Sequence, residues 1–188
     1  MVAEFMLQRT KAEQVRPVYQ KFLHEYPDVV TLSKAKISPV SKYTRTLGIH
    51  WRAKHFIQAA RFVVKNYSGR FPSHRNKLLA IPGVGEYVAG AILTVAFHKP
   101  EWVIDANIAR VFNRYYNLKL TGEIRRKKKI VEKSKLFFNH PDPGKLLFCI
   151  LDFSARICVP GKPHCPECLI RSRCRYTPKT KLKSINPH

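Results

Sequence analysis

Carboxylates are scarce in this sequence: 12 Asp and Glu stand against 35 Lys and Arg, a formal net charge of +23 at pH 7. A field of that sign repels basic partners and draws in polyanions. Neutralised phosphates release condensed counterions, so nucleic acid is the natural partner. Long apolar runs are also missing. None approaches the ~20 residues of a membrane-spanning helix, and no long basic amphipathic helix carries bulky aromatics on one face, so no membrane partner is expected. The opening Met1-Val2-Ala3-Glu4-Phe5-Met6 lacks the basic start and apolar core of a secretory signal. Cysteine is absent before residue 149, and four of the five fall within residues 158–174. Without a secretory signal, that placement favours metal or cluster ligation over disulfides. An intracellular, cytoplasmic monomer is expected.

The 188 residues are 45% apolar, enough for one core or two modest lobes. Helical periodicity dominates, and there is neither a convincing series of alternating strands nor an internal repeat. The fold class is therefore all-α. Residues 4–26 are expected to form one amphipathic helix broken or kinked at Pro17. Short helices follow over 28–34 and 38–46, with Ser38 and Ser41 as candidate caps. Further helices are expected over 52–66, 74–80 (capped by Ser73), 86–97, 106–116, 123–139 and 145–157. Beyond them lies a Cys/Pro-rich loop with a basic tail. The run Arg125-Arg126-Lys127-Lys128-Lys129 reads first as a solvated face, and only secondarily as a source of phosphate attraction.

Between two helical patterns lies Ile81-Pro82-Gly83-Val84-Gly85. Two glycines permit a tight hairpin, and the helix it opens presents free N–H groups and a positive dipole end to an anion. Gly83, Val84 and Gly85 are thus candidates to hold a DNA phosphate. Downstream, Asp105 follows Trp102-Val103-Ile104 and directly precedes a helix. It reads as an N-cap, a positioned acid, or both. Cys158, Cys165, Cys168 and Cys174 have the spacing C-x6-C-x2-C-x5-C, which suits a four-iron cluster or a structural zinc. Cys149, in an apolar stretch, reads as a core residue.

Hairpin, aspartate and cysteine loop in this order resemble the helix-hairpin-helix DNA glycosylases with a 4Fe-4S cluster, the branch of endonuclease III and adenine glycosylase. They look most like the archaeal thymine/uracil–guanine mismatch enzymes. The resemblance implies two helical lobes flanking a DNA-binding cleft: a helical barrel over 1–99 with the hairpin at 81–85, and a cluster lobe over 100–188. It implies that Asp105 is the catalytic acid, stabilising a sugar that turns cationic as its base leaves. It assigns Glu4 to assisting the departing base, Tyr87 to the base pocket, and Gln8 and Arg9 to a wedge that fills the gap of a flipped base. It selects a 4Fe-4S cluster over zinc, and Lys162, Arg171, Arg173 and Arg175 would bring that loop near phosphates.

Lyase members of the group place a lysine where Tyr87 stands, so hydrolysis by water without efficient strand cleavage is expected. Adenine glycosylases of the group typically carry a further carboxy-terminal domain, whereas this sequence ends at His188, shortly after the cysteines. Local wording such as Asp152-Phe153-Ser154-Ala155 also points to the mismatch enzymes. The expected activity is removal of thymine or uracil opposite guanine in double-stranded DNA, for base-excision repair. Adenine excision is the alternative activity, and non-catalytic DNA binding a further one. A prokaryotic, nucleoid-associated protein of archaeal type is implied. One departure stands out: relatives carry a segment ahead of the helix holding Glu4, and only three residues precede it here.

Overall fold

The computed structural model describes residues 1–7, 10–48 and 52–176. All regular structure among them is helical, with no strand. No described helix is long and apolar enough to cross a membrane. The chain divides into two compact units, residues 1–93 and 94–188.

The first unit holds α1 (Val2–Leu7), α2 (Ala12–Glu25), α3 (Val29–Lys34), α4 (Ile37–Thr46), α5 (Ala53–Tyr67), α6 (Arg75–Leu79) and α7 (Glu86–Ala91). Its centre is α5, which buries Ala53, Phe56, Ile57, Ala59, Ala60 and Val63 along one face and supports α3 and α4. Phe22 of α2 is fully buried among Phe56, Tyr26 and Tyr43, at ring separations of 5.5, 5.0 and 5.5 Å. Burying each such ring contributes roughly 1.5–3 kcal/mol. Asp28 caps α3 by accepting from Thr31 N at 2.7 Å.

Three expectations fail here for local reasons. The long helix divides ahead of Lys11 rather than at Pro17, which sits inside α2. A proline at the sixth position of that helix forfeits only the bond its N–H would have made to Glu13. Ser38 and Ser41 do not cap α4, since Ser41 Oγ instead donates to Ser38 O. Ser73 gives way to His74 at the start of α6.

Beyond α7 the chain runs into a π-helical turn, Ile92–Ala96. The second unit then holds α8 (Ala106–Tyr115), α9 (Lys128–Phe138) and α10 (Pro143–Arg156), followed by two 3-10 turns in the cysteine loop. Its core is Ile108, Ala109, Phe112, Ile130, Phe138, Leu147 and Ile150. Gly144 permits close approach of α10 to the π turn: a Cβ there would stand 3.2 Å from Thr94 O. The expected helix over 123–139 is two pieces, a 3-10 turn Ile124–Arg126 and α9, because Lys127 between them is extended (ψ 132°).

Candidate active site

The hairpin belongs to the first unit. Ile81 N donates to Leu78 O and Val84 N to Ile81 O, both at 3.0 Å, and both side chains are buried. Val84 therefore anchors the turn with its amide already engaged, while Gly83 and Gly85 reach solvent. The two glycines are required for different reasons. Gly83 has φ +82°, and a Cβ on it would lie 3.1 Å from Phe5 Cζ and 3.3 Å from His55 Cβ. Gly85 has φ −98° and nothing within 4 Å of a Cβ, so the fold itself does not demand a glycine there. It is the N-cap of α7 and offers no side-chain oxygen to the first-turn amides. Glu86, at the start of α7, is held by Arg75, whose Nη1 donates to Glu86 O and to its carboxylate, each at 3.1 Å.

The same unit fastens Glu4 to the hairpin through its neighbour. Phe5 is buried edge-on to Phe56 at 5.2 Å and fills the space beneath Gly83. Its carbonyl accepts from Nη1 of the buried Arg52 at 3.0 Å. Glu4 and Tyr87 are both half-buried. Burial lowers the pKa of the Met1 α-amino group, and the charge of Glu4 opposes that shift. Gln8 and Arg9 lie outside the described residues.

Asp105 is in the second unit and caps α8. Oδ1 accepts from Ile108 N at 2.7 Å and Oδ2 from Asn107 Nδ2 at 2.9 Å. The segment leading to it is pinned by buried Ser134, whose Oγ donates to Val103 O at 2.9 Å. With Val103 and Ile104 buried behind it, the carboxylate is oriented yet half-exposed. It caps a helix and remains open to solvent at once, which is what a positioned acid requires.

Sequence reasoning missed the continuation of that contact. Asn107 Oδ1 accepts from Arg110 Nη1 at 2.8 Å; Arg110 in turn donates to Cys158 O and Ser154 O, each at 3.0 Å. Burial lowers the Arg110 pKa, with Cys158 and Asp105 opposing. One turn on, Arg114 donates to Val159 O at 2.7 Å, to Gly161 O at 3.0 Å and to Cys158 Sγ at 3.5 Å. The signal lay in the spacing Asn107, Arg110, Arg114, which places all three along one side of α8. Hydrogen bonds thus link the acid to the first cysteine.

Cys158, Cys165, Cys168 and Cys174 are free thiols lining one pocket with Val111, Arg114, Phe153 and Ile157. Burial raises the Cys168 pKa, and the other three cysteines add to the rise. Among the described residues, no group of three or more His, Cys, Asp or Glu converges closely enough to hold a single metal ion. The four thiols surround a shared hollow whose other lining is largely apolar, a donor set of the kind a cluster would need. Lys162, Arg171, Arg173 and Arg175 are exposed around it. Cys149 is exposed rather than part of the core, because Leu147 and Ile150, three apart on α10, take the inward positions.

This helical fold, with a glycine hairpin in one unit and a capped acid wired to four thiols in the other, has clear relatives. The chain belongs to the HhH-GPD superfamily of base excision DNA repair proteins, which matches residues 2–137. It is a DNA glycosylase, a hydrolase. It is 36% identical over 185 residues to a thymine-DNA glycosylase of Aeropyrum pernix, covering 94% of this chain and 81% of that one. It is 32% identical over 180 residues to a thymine/uracil-DNA glycosylase of Methanothermobacter thermautotrophicus, covering 95% and 81%. The solved structure of a thermostable thymine-DNA glycosylase superposes with a TM-score of 0.86 at 32% identity, over 93% of this chain and 81% of that one.

Proposed function

We propose that the protein hydrolyses the N-glycosidic bond of thymine or uracil mispaired with guanine in double-stranded DNA, starting base-excision repair. The observation that carries this reading is the Asp105 carboxylate: fixed by two hydrogen bonds, backed by buried aliphatic residues, and still half-exposed. As the bond from C1′ to the base lengthens, its electron pair leaves with the base and positive charge grows on the sugar. A carboxylate already oriented by Ile108 and Asn107 stabilises that charge without reorganising, and accepts the proton of the water that adds to C1′. Glu4 assists the departing base by hydrogen bonding or proton donation, and Tyr87 lines the base pocket. The products are free base and an abasic site. Tyr87 is no amine, so no Schiff base forms and strand cleavage is not efficient.

The Gly83 and Gly85 backbone holds a DNA phosphate, Val84 anchors the turn, and Gln8 and Arg9 act as the wedge. Cys158, Cys165, Cys168 and Cys174 would hold a 4Fe-4S cluster, which staples their loop and lends no electron to hydrolysis.

The test is release of free base from duplexes with thymine or uracil opposite guanine, alongside adenine opposite guanine or oxidised guanine. Wild type should release thymine or uracil. Asp105→Asn should lose about 10³-fold or more while keeping the fold, since Asn caps a helix as well as Asp. Equal release by Asp105→Asn refutes the assignment, and release of adenine alone moves the substrate to the alternative.

A further inference from the structure

We infer that Arg125, Arg126, Lys127, Lys128 and Lys129 form a second DNA-binding surface, one that follows the phosphate backbone beside Asp105 without reference to the base removed. This rests on the reading above that duplex DNA is the substrate.

All five side chains are exposed. A merely solvated face would carry them as one stripe of a helix, with acids a turn away. Here they are consecutive across a 3-10 turn, an extended residue and the first turn of α9, so they point around the axis rather than along one side. Glu123 engages Arg125 through both carboxylate oxygens. Arg126, Lys127, Lys128 and Lys129 make no salt bridge among the described residues, although Glu132 lies one turn beyond. No acid occupies the first turn of α9. Cations there oppose the helix dipole and one another, an arrangement that costs stability and that a polyanion relieves.

The location supplies the partner's path. The 3-10 turn packs on α8, the helix capped by Asp105. Arg125 stands within electrostatic range of that carboxylate. A strand whose sugar sits at Asp105 therefore has its neighbouring phosphates within reach of the run.

The experiment compares wild type with Lys127→Gln/Lys128→Gln/Lys129→Gln and with Lys34→Gln/Lys36→Gln/Lys65→Gln. The second triple removes the same formal charge from exposed positions of the first unit. Affinity for an undamaged duplex is measured by fluorescence anisotropy across a salt series. For the run variant the expected result is a loss of about tenfold or more, with the slope of log affinity against log salt shallower by about 2–3, near 0.9 per phosphate contact. The control triple should lose less than about threefold with its slope unchanged. The run variant should melt no lower than wild type. Equal losses in the two triples, an unchanged slope, or a melting temperature that falls with affinity would each overturn the inference. Failure of wild type to bind any duplex at low salt would instead overturn the functional reading beneath it.

Discussion

Every helix of the first unit contributes at least one buried side chain, whereas from Cys158 to Tyr176 no residue is buried. The hairpin rests on an aromatic and aliphatic core in which Phe5, Phe22 and Phe56 touch in series. The cysteine loop is held by main-chain carbonyls that accept from Arg110 and Arg114, by Arg175 N donating to Tyr115 O at 3.0 Å, and by the Arg114 guanidinium 5.1 Å from the Tyr176 ring. Polar contacts of that kind, part-buried or exposed, contribute about 1 kcal/mol each, and a loop held by them without buried side chains opens more readily than a packed core. The first region is set by its own packing. The second is tethered, and under the proposed cluster its order would depend on that group filling the space between its thiols.

The largest effect should come from removing that filling. Cys168→Ser, or iron chelation of the loaded protein, should raise amide hydrogen exchange in residues 158–176 about 10²-fold. Residues 53–63 of α5 should stay protected. Uniform loss of protection in both regions would dissolve the contrast. Next come the hairpin glycines, which separate folding from binding inside one turn. Gly83→Ala should cost about 2–4 kcal/mol, combining a positive φ with overpacking against Phe5 and His55. Gly85→Ala should stay within about 0.5 kcal/mol of wild type yet weaken DNA binding about fivefold or more, by blocking approach to the backbone. Denaturant melts and anisotropy titrations check the pair, and equal stability losses would show that both glycines serve the fold.

The smallest effect concerns acid. Its side-chain hydrogen bonds to Arg125 hold the Glu123 carboxyl down from 4.5 to about 2. A depressed carboxylate pKa contributes stability that is full above the ordinary value and is lost as pH falls through the folded one. The turn over residues 123–126 should therefore loosen between about pH 4.5 and 2, and Glu123→Gln should abolish that dependence. An NMR titration of Glu123 with a midpoint near 4.5 would remove this contribution.

What could be read from residues alone divides along the same line. Apolar periodicity located α5 and α8 within a residue or two, and Asp105 directly before a helical pattern announced its cap, because local signals of that kind act over one turn. The expected single helix over 123–139 failed because five like charges disfavour continuing an α-helix through Lys127, which periodicity does not weigh. Cys149 was misplaced because composition cannot say which side of α10 faces inward; Leu147 and Ile150 decide that. The bonds from Arg110 and Arg114 to the loop join residues more than forty positions apart, beyond the reach of any periodic pattern. Gly83 and Gly85 looked equivalent in sequence, and only the crowding by Phe5 and His55 tells them apart.

Phe5 lies under Gly83, and its own carbonyl, one peptide beyond that of Glu4, is the one Arg52 grips. The acid and the turn are thereby geared together: a nudge to either is felt by the other through a single ring. Trimming that ring would leave every charge in place and yet unlatch the first helix, so an apolar side chain governs where an ionisable one can stand.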